Sequence, residues 1–263
     1  MTLYTLSDVT YRYQRIVALD ALSLTIASAT RVALLGANGS GKSTLLRMLD
    51  ALCFPDTGTI EFDGQPLTES QFGDDHFAHA FRRRVGIVFQ NPDVQLFNPT
   101  VFDEVAFGPL QLGWSKSDVR ERVSSTLDGF RIRHLADRVP QRLSGGEKKK
   151  VALASVLVMD PDVLLFDEPT AGLDPRSRSD IIDLMVGWAG SHKTVITATH
   201  ELGDLADIAD RCIVLHAGRL VADRTPDALL QDAELLDRTN LIHAHRHRHA
   251  SGEVHSHPHL HRS

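Results

Sequence analysis

Cysteine is scarce in this chain: two residues in 263, Cys53 and Cys212, far apart in sequence. So low a count excludes a disulfide-stapled scaffold and suits a reducing compartment. Basic charge is not in excess either, since 28 Lys and Arg stand against 34 Asp and Glu for a formal charge of -6. That balance removes the general case for nucleic-acid binding, so no nucleic acid is expected as a partner. Long apolar runs are missing as well. The most apolar stretch, residues 151–159, is about half of the ~20 residues that a helix needs to cross a bilayer. The opening "MTLYTLSDVTYRY" has no basic segment followed by an apolar one, so no signal peptide is read there. These absences place the protein in the cytoplasm, and work at a membrane would require docking to another subunit.

What is present describes an ordinary globular chain, 42% hydrophobic and 24% charged, long enough to bury a substantial core. Apolar, β-branched runs at residues 30–35, 85–89, 163–166, 194–197 and 212–215 predict strands. Several are short and nearly continuous, as strands buried on both faces are. Helical patterns separate them after Lys42, over residues 176–188 and after Glu201. This alternation predicts an α/β core with a mainly parallel sheet. Shorter strand signals at residues 3–8, 21–26 and 59–62 predict an antiparallel β flank. From about 97 to 155 helical segments dominate, which predicts an inserted helical subdomain. One domain is expected over residues 1–239, with a histidine-rich tail at 240–263.

Residues 34–46, "LLGANGSGKSTLL", match G-x-x-x-x-G-K-[ST] with Gly36, Gly41, Lys42 and Ser43 in register. The motif follows a predicted strand and opens a predicted helix, the context that a P-loop requires. The glycines let backbone amides approach phosphate oxygens, and the helix N-terminus adds positive potential. The expected nucleotide contacts are Gly36, Ala37, Asn38, Gly39, Ser40, Gly41, Lys42, Ser43 and Thr44. Lys42 supplies positive charge toward the outer phosphates, and the Ser43 hydroxyl can ligate magnesium. Further along, "DVLLFDEPTAGLD" is a buried strand that delivers Asp167 and Glu168 to its C-terminal end, the ligand edge of parallel α/β sheets. Neighbouring carboxylates on a strand point in different directions. Asp167 is therefore read as a magnesium ligand and Glu168 as the general base that polarises water.

A third motif, "RLSGGEKKKVALASVL", contains Ser144, Gly145, Gly146 and Glu147. Ser144 and Glu147 have capping-box spacing, while the paired glycines expose consecutive amides at a helix start, a second anion site. One chain thus carries two phosphate-binding ends and one catalytic carboxylate. Two chains arranged head-to-tail with two-fold symmetry would complete two composite sites.

Over residues 3–223 the chain resembles the nucleotide-binding subunit of an ATP-binding cassette transporter. The resemblance implies a P-loop NTPase core using ATP and Mg2+. It makes "LSGGE" the signature that contacts the terminal phosphate of ATP held mainly by a second ATPase subunit, and it puts Asp174 of "AGLD" at the dimer interface. It further makes His200 the switch histidine, Gln90 a ligand of magnesium and water, and Tyr13 the aromatic that stacks on adenine, with Tyr11 as the alternative. Roughly a hundred residues separate Lys42 from Ser144, too few for the long insert of a DNA-repair ATPase, and a translation-associated ATPase usually has two cassettes.

Residues 90–113, "QNPDVQLFNPTVFDEVAFGPLQLG", resemble a narrower branch, the ATPases of energy-coupling-factor importers for cobalt, nickel and vitamins. Its implied partners are an integral membrane coupling subunit and a membrane substrate-binding subunit, and its implied place is the cytoplasmic face of the cell membrane. Eight of the 14 histidines lie in the tail, at positions 243, 245, 247, 249, 255, 257, 259 and 261. Neutral imidazole suits nickel, cobalt, zinc and copper, so the tail is expected to bind a transition metal and points to nickel or cobalt as cargo.

Overall fold

A computed structural model of the chain describes residues 1–248 and 254–259, with side chains as far as Ile242. Its elements run β1 (Thr2–Tyr13), β2 (Ile16–Ala27), β3 (Arg31–Leu35), α1 (Lys42–Leu49), β4 (Thr57–Phe62), β5 (Gln65–Pro66), α2 (Glu69–Phe72), α3 (Asp75–Arg84), β6 (Val85–Val88), α4 (Val101–Gln111) and α5 (Lys116–Gly129). They continue with α6 (Gly145–Leu157), β7 (Val163–Asp167), α7 (Pro175–Val186), β8 (Thr194–Thr199), α8 (Leu205–Ile208), β9 (Arg211–His216), β10 (Arg219–Arg224), α9 (Pro226–Leu230), α10 (Ala233–Arg238), β11 (His243–Arg248) and β12 (Val254–His259). Contacts divide the chain into two units, residues 1–67 with 196–263, and residues 68–195.

In the first unit an antiparallel sheet has the order β2-β1-β4-β5. Leu6 pairs with Leu24 on one side and with Ile60 on the other, and all three are buried. Tyr4 packs its ring 5.0 Å from Phe62 and donates its hydroxyl to Leu49 O at 3.0 Å, which ties the sheet to the end of α1. β3 pairs in parallel with β9, Leu34 opposite Ile213, and β9 pairs antiparallel with β10. Val32 to Leu35 are all buried, so the continuous apolar run is a strand covered on both faces. Arg31 grips Asp210 through Nε (3.2 Å) and Nη2 (2.6 Å), fixing where β3 and β9 begin. Its hydrogen bond holds the Asp210 carboxyl below the usual carboxylate range. Cys212 is buried in β9, and burial pushes its thiol up to about 12; both cysteines are free.

In the second unit β6 and β7 pair in parallel, Val88 opposite Phe166. α5 buries Val119, Val123 and Leu127, one stripe at a four-residue spacing. Thr100 caps α4 by accepting from Asp103 N at 3.1 Å. α6 buries Val151, Ala152, Leu153 and Ala154 in succession, a helix covered nearly all round.

Three features depart from expectation. β1 and β2 are twelve residues each, longer than the short strands read from sequence. Bulges with Asp8 at φ 49° and Ala21 at φ 47° break the alternation that marks a long strand. The helical pattern after Glu201 yields only the four-residue α8, because Ala209 turns extended toward the Asp210 anchor. β10 was not expected at all, being an exposed, polar strand paired on one side. In the tail, β11 and β12 pair antiparallel with His243 opposite His259, His245 opposite His257 and His247 opposite His255. His249 and His261 lie outside the described residues.

Candidate active site

The phosphate loop belongs to the first unit, together with Tyr13 and His200. Gly36 leaves β3 at φ 148°, where a Cβ would lie 2.3 Å from Leu215 O and 2.5 Å from Ser40 Oγ. No side chain fits that turn. The loop is held from outside: Gly218 N donates to Ser40 O and Asp20 N to Gly218 O, both at 3.0 Å. Lys42 is 6% exposed and donates from Nζ to Gly36 O at 2.7 Å and Ala37 O at 3.3 Å. Its ammonium therefore curls over the loop. The N-cap of α1 is Gly41, which has no side chain to satisfy the first amides of the helix. Ser40 Oγ is buried without a hydrogen-bond partner. An orphaned hydroxyl, a curled ammonium and an uncapped helix start fit the phosphates of a nucleotide.

Two tyrosines meet edge-on beside α1, Tyr11 and Tyr13, with ring centroids 5.0 Å apart at 86°. Tyr13 is 41% exposed and accepts from Arg47 Nη1 at 3.3 Å. Tyr11 is only half-buried; burial, then the neighbouring Cys53, raises its hydroxyl above the usual range. Tyr13 thus has the freer ring for a stacked base. His200 is exposed at the end of the fully buried β8, and Thr199 Oγ1 caps the turn by accepting from Glu201 N at 3.0 Å.

The second unit carries Gln90, Ser144, Gly145, Gly146, Glu147, Asp167, Glu168 and Asp174. All five residues of β7 are buried, and they lead Asp167 and Glu168 to a buried strand end. Glu168 has φ 48°, a left-handed backbone that costs a non-glycine residue ~1–3 kcal/mol. At the signature, Ser144 N donates to Glu147 Oε2 at 2.8 Å, Ser144 Oγ to the same atom at 2.7 Å, and Glu147 N to Ser144 Oγ at 3.4 Å. The Glu147 carboxylate is committed to the helix start, and those bonds from Ser144 lower its pKa. Gly145 has open space at its Cα, whereas a Cβ on Gly146 would lie 2.6 Å from Ser177 Oγ. Asp174 caps α7 by accepting from Arg176 N and Ser177 N, each at 3.1 Å. The starts of α6 and α7 are therefore packed together.

One residue escaped the sequence reading. Lys149 is 2% exposed, and its Nζ donates to Phe89 O and Gln90 O, each at 3.0 Å. Burial pushes its pKa down to about 8, with Asp167 and Glu168 pulling it back up. Its neighbours Lys148 and Lys150 instead pair with Asp93 and Asp180, 2.7 and 2.6 Å away. Among the described residues no three His, Cys, Asp or Glu side chains converge to hold a metal ion. Ser43 belongs to the first unit and Gln90 and Asp167 to the second, and each offers an oxygen of the kind that magnesium takes.

Comparison with known proteins agrees with these features. Residues 19–171 match the ABC transporter family. The chain is 52% identical over 242 residues to the nickel import ATP-binding protein NikO of Rhodobacter capsulatus, covering 91% of this chain and 95% of that protein. It is 40% identical over 237 residues to the energy-coupling factor transporter ATP-binding protein EcfA of Methanothermobacter thermautotrophicus, covering 90% and 75%. The structure of cbiO1 from Clostridium perfringens, part of the ABC transporter complex cbiONQ, superposes with a TM-score of 0.75 at 35% identity, covering 91% of this chain and 95% of that one. The α/β fold read from the sequence is the fold of these ATPases. The chain belongs to the ABC transporter family as an ATP-hydrolysing subunit, and it resembles the energy-coupling-factor branch that includes cobalt and nickel importers.

Proposed function

We propose that this chain hydrolyses ATP to ADP and phosphate to power an energy-coupling-factor importer for nickel or cobalt. The observation that carries the reading is the anion-ready loop, with buried Lys42 turned over it and Ser40 Oγ unpartnered. Lys42 and the loop amides hold the phosphates, and Tyr13 stacks on adenine. Ser43, Gln90 and Asp167 would hold magnesium, which would supply positive charge to the phosphate oxygens. Glu168 takes a proton from the attacking water as the oxygen bonds to the terminal phosphorus and the bond to the ADP oxygen breaks. His200 positions the terminal phosphate. Ser144, Gly145 and Gly146, with Asp174 beside them, face the ATP of a second subunit, so two chains close around two nucleotides.

No helix among the described residues is long and apolar enough to cross a membrane, so import requires membrane partners. An exposed apolar patch in the second unit supports docking to an integral membrane coupling subunit at the cytoplasmic face, with a membrane substrate-binding subunit alongside. Val94, Phe97, Phe107 and Leu110 are all exposed, Phe97 at 62%, and the rings of Phe97 and Phe107 lie 5.0 Å apart. Phe97 is held there because its N–H and that of Asn98 donate to the buried Glu104 carboxylate at 2.8 and 2.7 Å. Phe97→Glu is expected to lower co-purification with the membrane subunit at least tenfold while ATP affinity stays within twofold. Unchanged co-purification would remove the patch from the docking surface.

The relation to NikO and the histidine tail support a transition-metal cargo. The register of β11 and β12 sets three pairs of histidines directly opposite each other, and positions 243, 245 and 247 share one face of a strand. ATP-dependent uptake of nickel, cobalt and vitamin substrates in the reconstituted complex tests the cargo. Nickel or cobalt uptake is expected, weakened severalfold when residues after Asn240 are removed. Vitamin uptake without metal uptake would assign the same ATPase to a different importer.

A further inference from the structure

The signature helix α6 and the segment that presents Gln90 are stitched together at several points. Lys149 donates to two successive backbone carbonyls, Phe89 O and Gln90 O, from a fully buried position. Gln95 makes the next stitch: its Nε2 donates to Ala152 O at 2.9 Å and Ser155 Oγ at 3.1 Å, while its Oε1 accepts from Phe89 N at 3.3 Å. Lys148 pairs with Asp93 at 2.7 Å on the outside, where an exposed ion pair adds little. The main connection is therefore the buried one. Carbonyls at the end of a strand need donors once water is excluded. A lysine supplies both bonds from one point, fixing the direction of the chain on both sides of the Gln90 Cα.

We propose that Lys149 is a positioning residue that makes the signature and Gln90 move as one body, so that engagement of the partner's ATP at Ser144 is transmitted to the magnesium site of the chain's own nucleotide. This rests on the function proposed above. Both atoms that Lys149 bonds are backbone carbonyls of the Gln90 segment, so the buried cation acts on where that segment runs. Without the stitch, α6 could close on the partner's nucleotide while Gln90 stayed out of place. The site would then bind ATP but require more magnesium to turn over, and the two sites of the pair would fire independently.

The test uses the full-length protein with Lys149→Met, which keeps length and burial but has no donor, and Lys149→Gln, which keeps an NH2 group. For Lys149→Met we expect magnesium-free ATP affinity within twofold of the unaltered chain, and about tenfold more magnesium needed for half-maximal hydrolysis. The Hill coefficient for ATP should fall toward one. Lys149→Gln should recover most of both effects. Gln95→Leu removes the neighbouring stitch with Lys149 intact and should raise the magnesium requirement in the same direction. Lys149→Met with an unaltered magnesium requirement and Hill coefficient overturns the proposal, as does equal impairment of the Met and Gln variants. If Lys149→Met does not fold, Gln95→Leu decides: a raised magnesium requirement supports the proposal and an unchanged one overturns it. Failure of the unaltered chain to hydrolyse ATP would count against the proposed function, and is read separately.

Discussion

Glu168→Gln is expected to bind ATP as the unaltered chain does and to hydrolyse it about 10²–10⁴-fold more slowly, the range a positioned general base contributes. The carboxamide has the same size and fits the same buried strand end, so the fold should not change. It cannot accept the proton that water gives up as its oxygen approaches phosphorus. ATP-bound pairs should accumulate, because hydrolysis is the step that opens them. Phosphate release measured alongside nucleotide binding checks both halves of this expectation, with size-exclusion chromatography in ATP reporting the pair. Rapid steady-state hydrolysis by the variant would sink the role given to Glu168.

Lys42→Met should act earlier, at binding. Its ammonium already donates to Gly36 O and Ala37 O, carbonyls of the loop that wraps the phosphates. Each hydrogen bond to a charged group is worth ~1.5–3 kcal/mol, and ~1.4 kcal/mol is tenfold in affinity. With one or two such bonds made to phosphate oxygens, ATP affinity should fall about 10–10⁴-fold. Stability should fall by about 1–3 kcal/mol, because Gly36 O loses its donor in a buried position. A nucleotide titration with a thermal melt of the same sample separates the two effects. Wild-type affinity in this variant would remove Lys42 from the phosphate site.

Legibility in the sequence followed locality. The strands β3, β6, β7 and β9 are short, continuous apolar runs, so both their existence and their burial could be read from a few neighbours. The phosphate loop was legible for a similar reason, since its glycines, lysine and serine are adjacent and their spacing is the chemistry. What escaped depends on residues distant in sequence. The length of β1 was hidden by bulges whose geometry is set jointly with β2 and β4. Gly146 is small because Ser177 lies against it, a contact across thirty residues that no local pattern announces. Lys149 stands in a run of three lysines, and the carbonyls at Phe89 and Gln90 that it serves lie about sixty residues away. Nothing within either segment alone could have revealed that pairing.

The backbone of Glu168, turned to φ 48° at the end of β7, has a consequence for how this position can vary. Glycine and asparagine adopt that conformation more readily than glutamate. Either residue would lessen the backbone cost at this position, so the glutamate is held there against the preference of its own backbone. Under the proposed function, the strand end that serves turnover is therefore also the place where the backbone is strained.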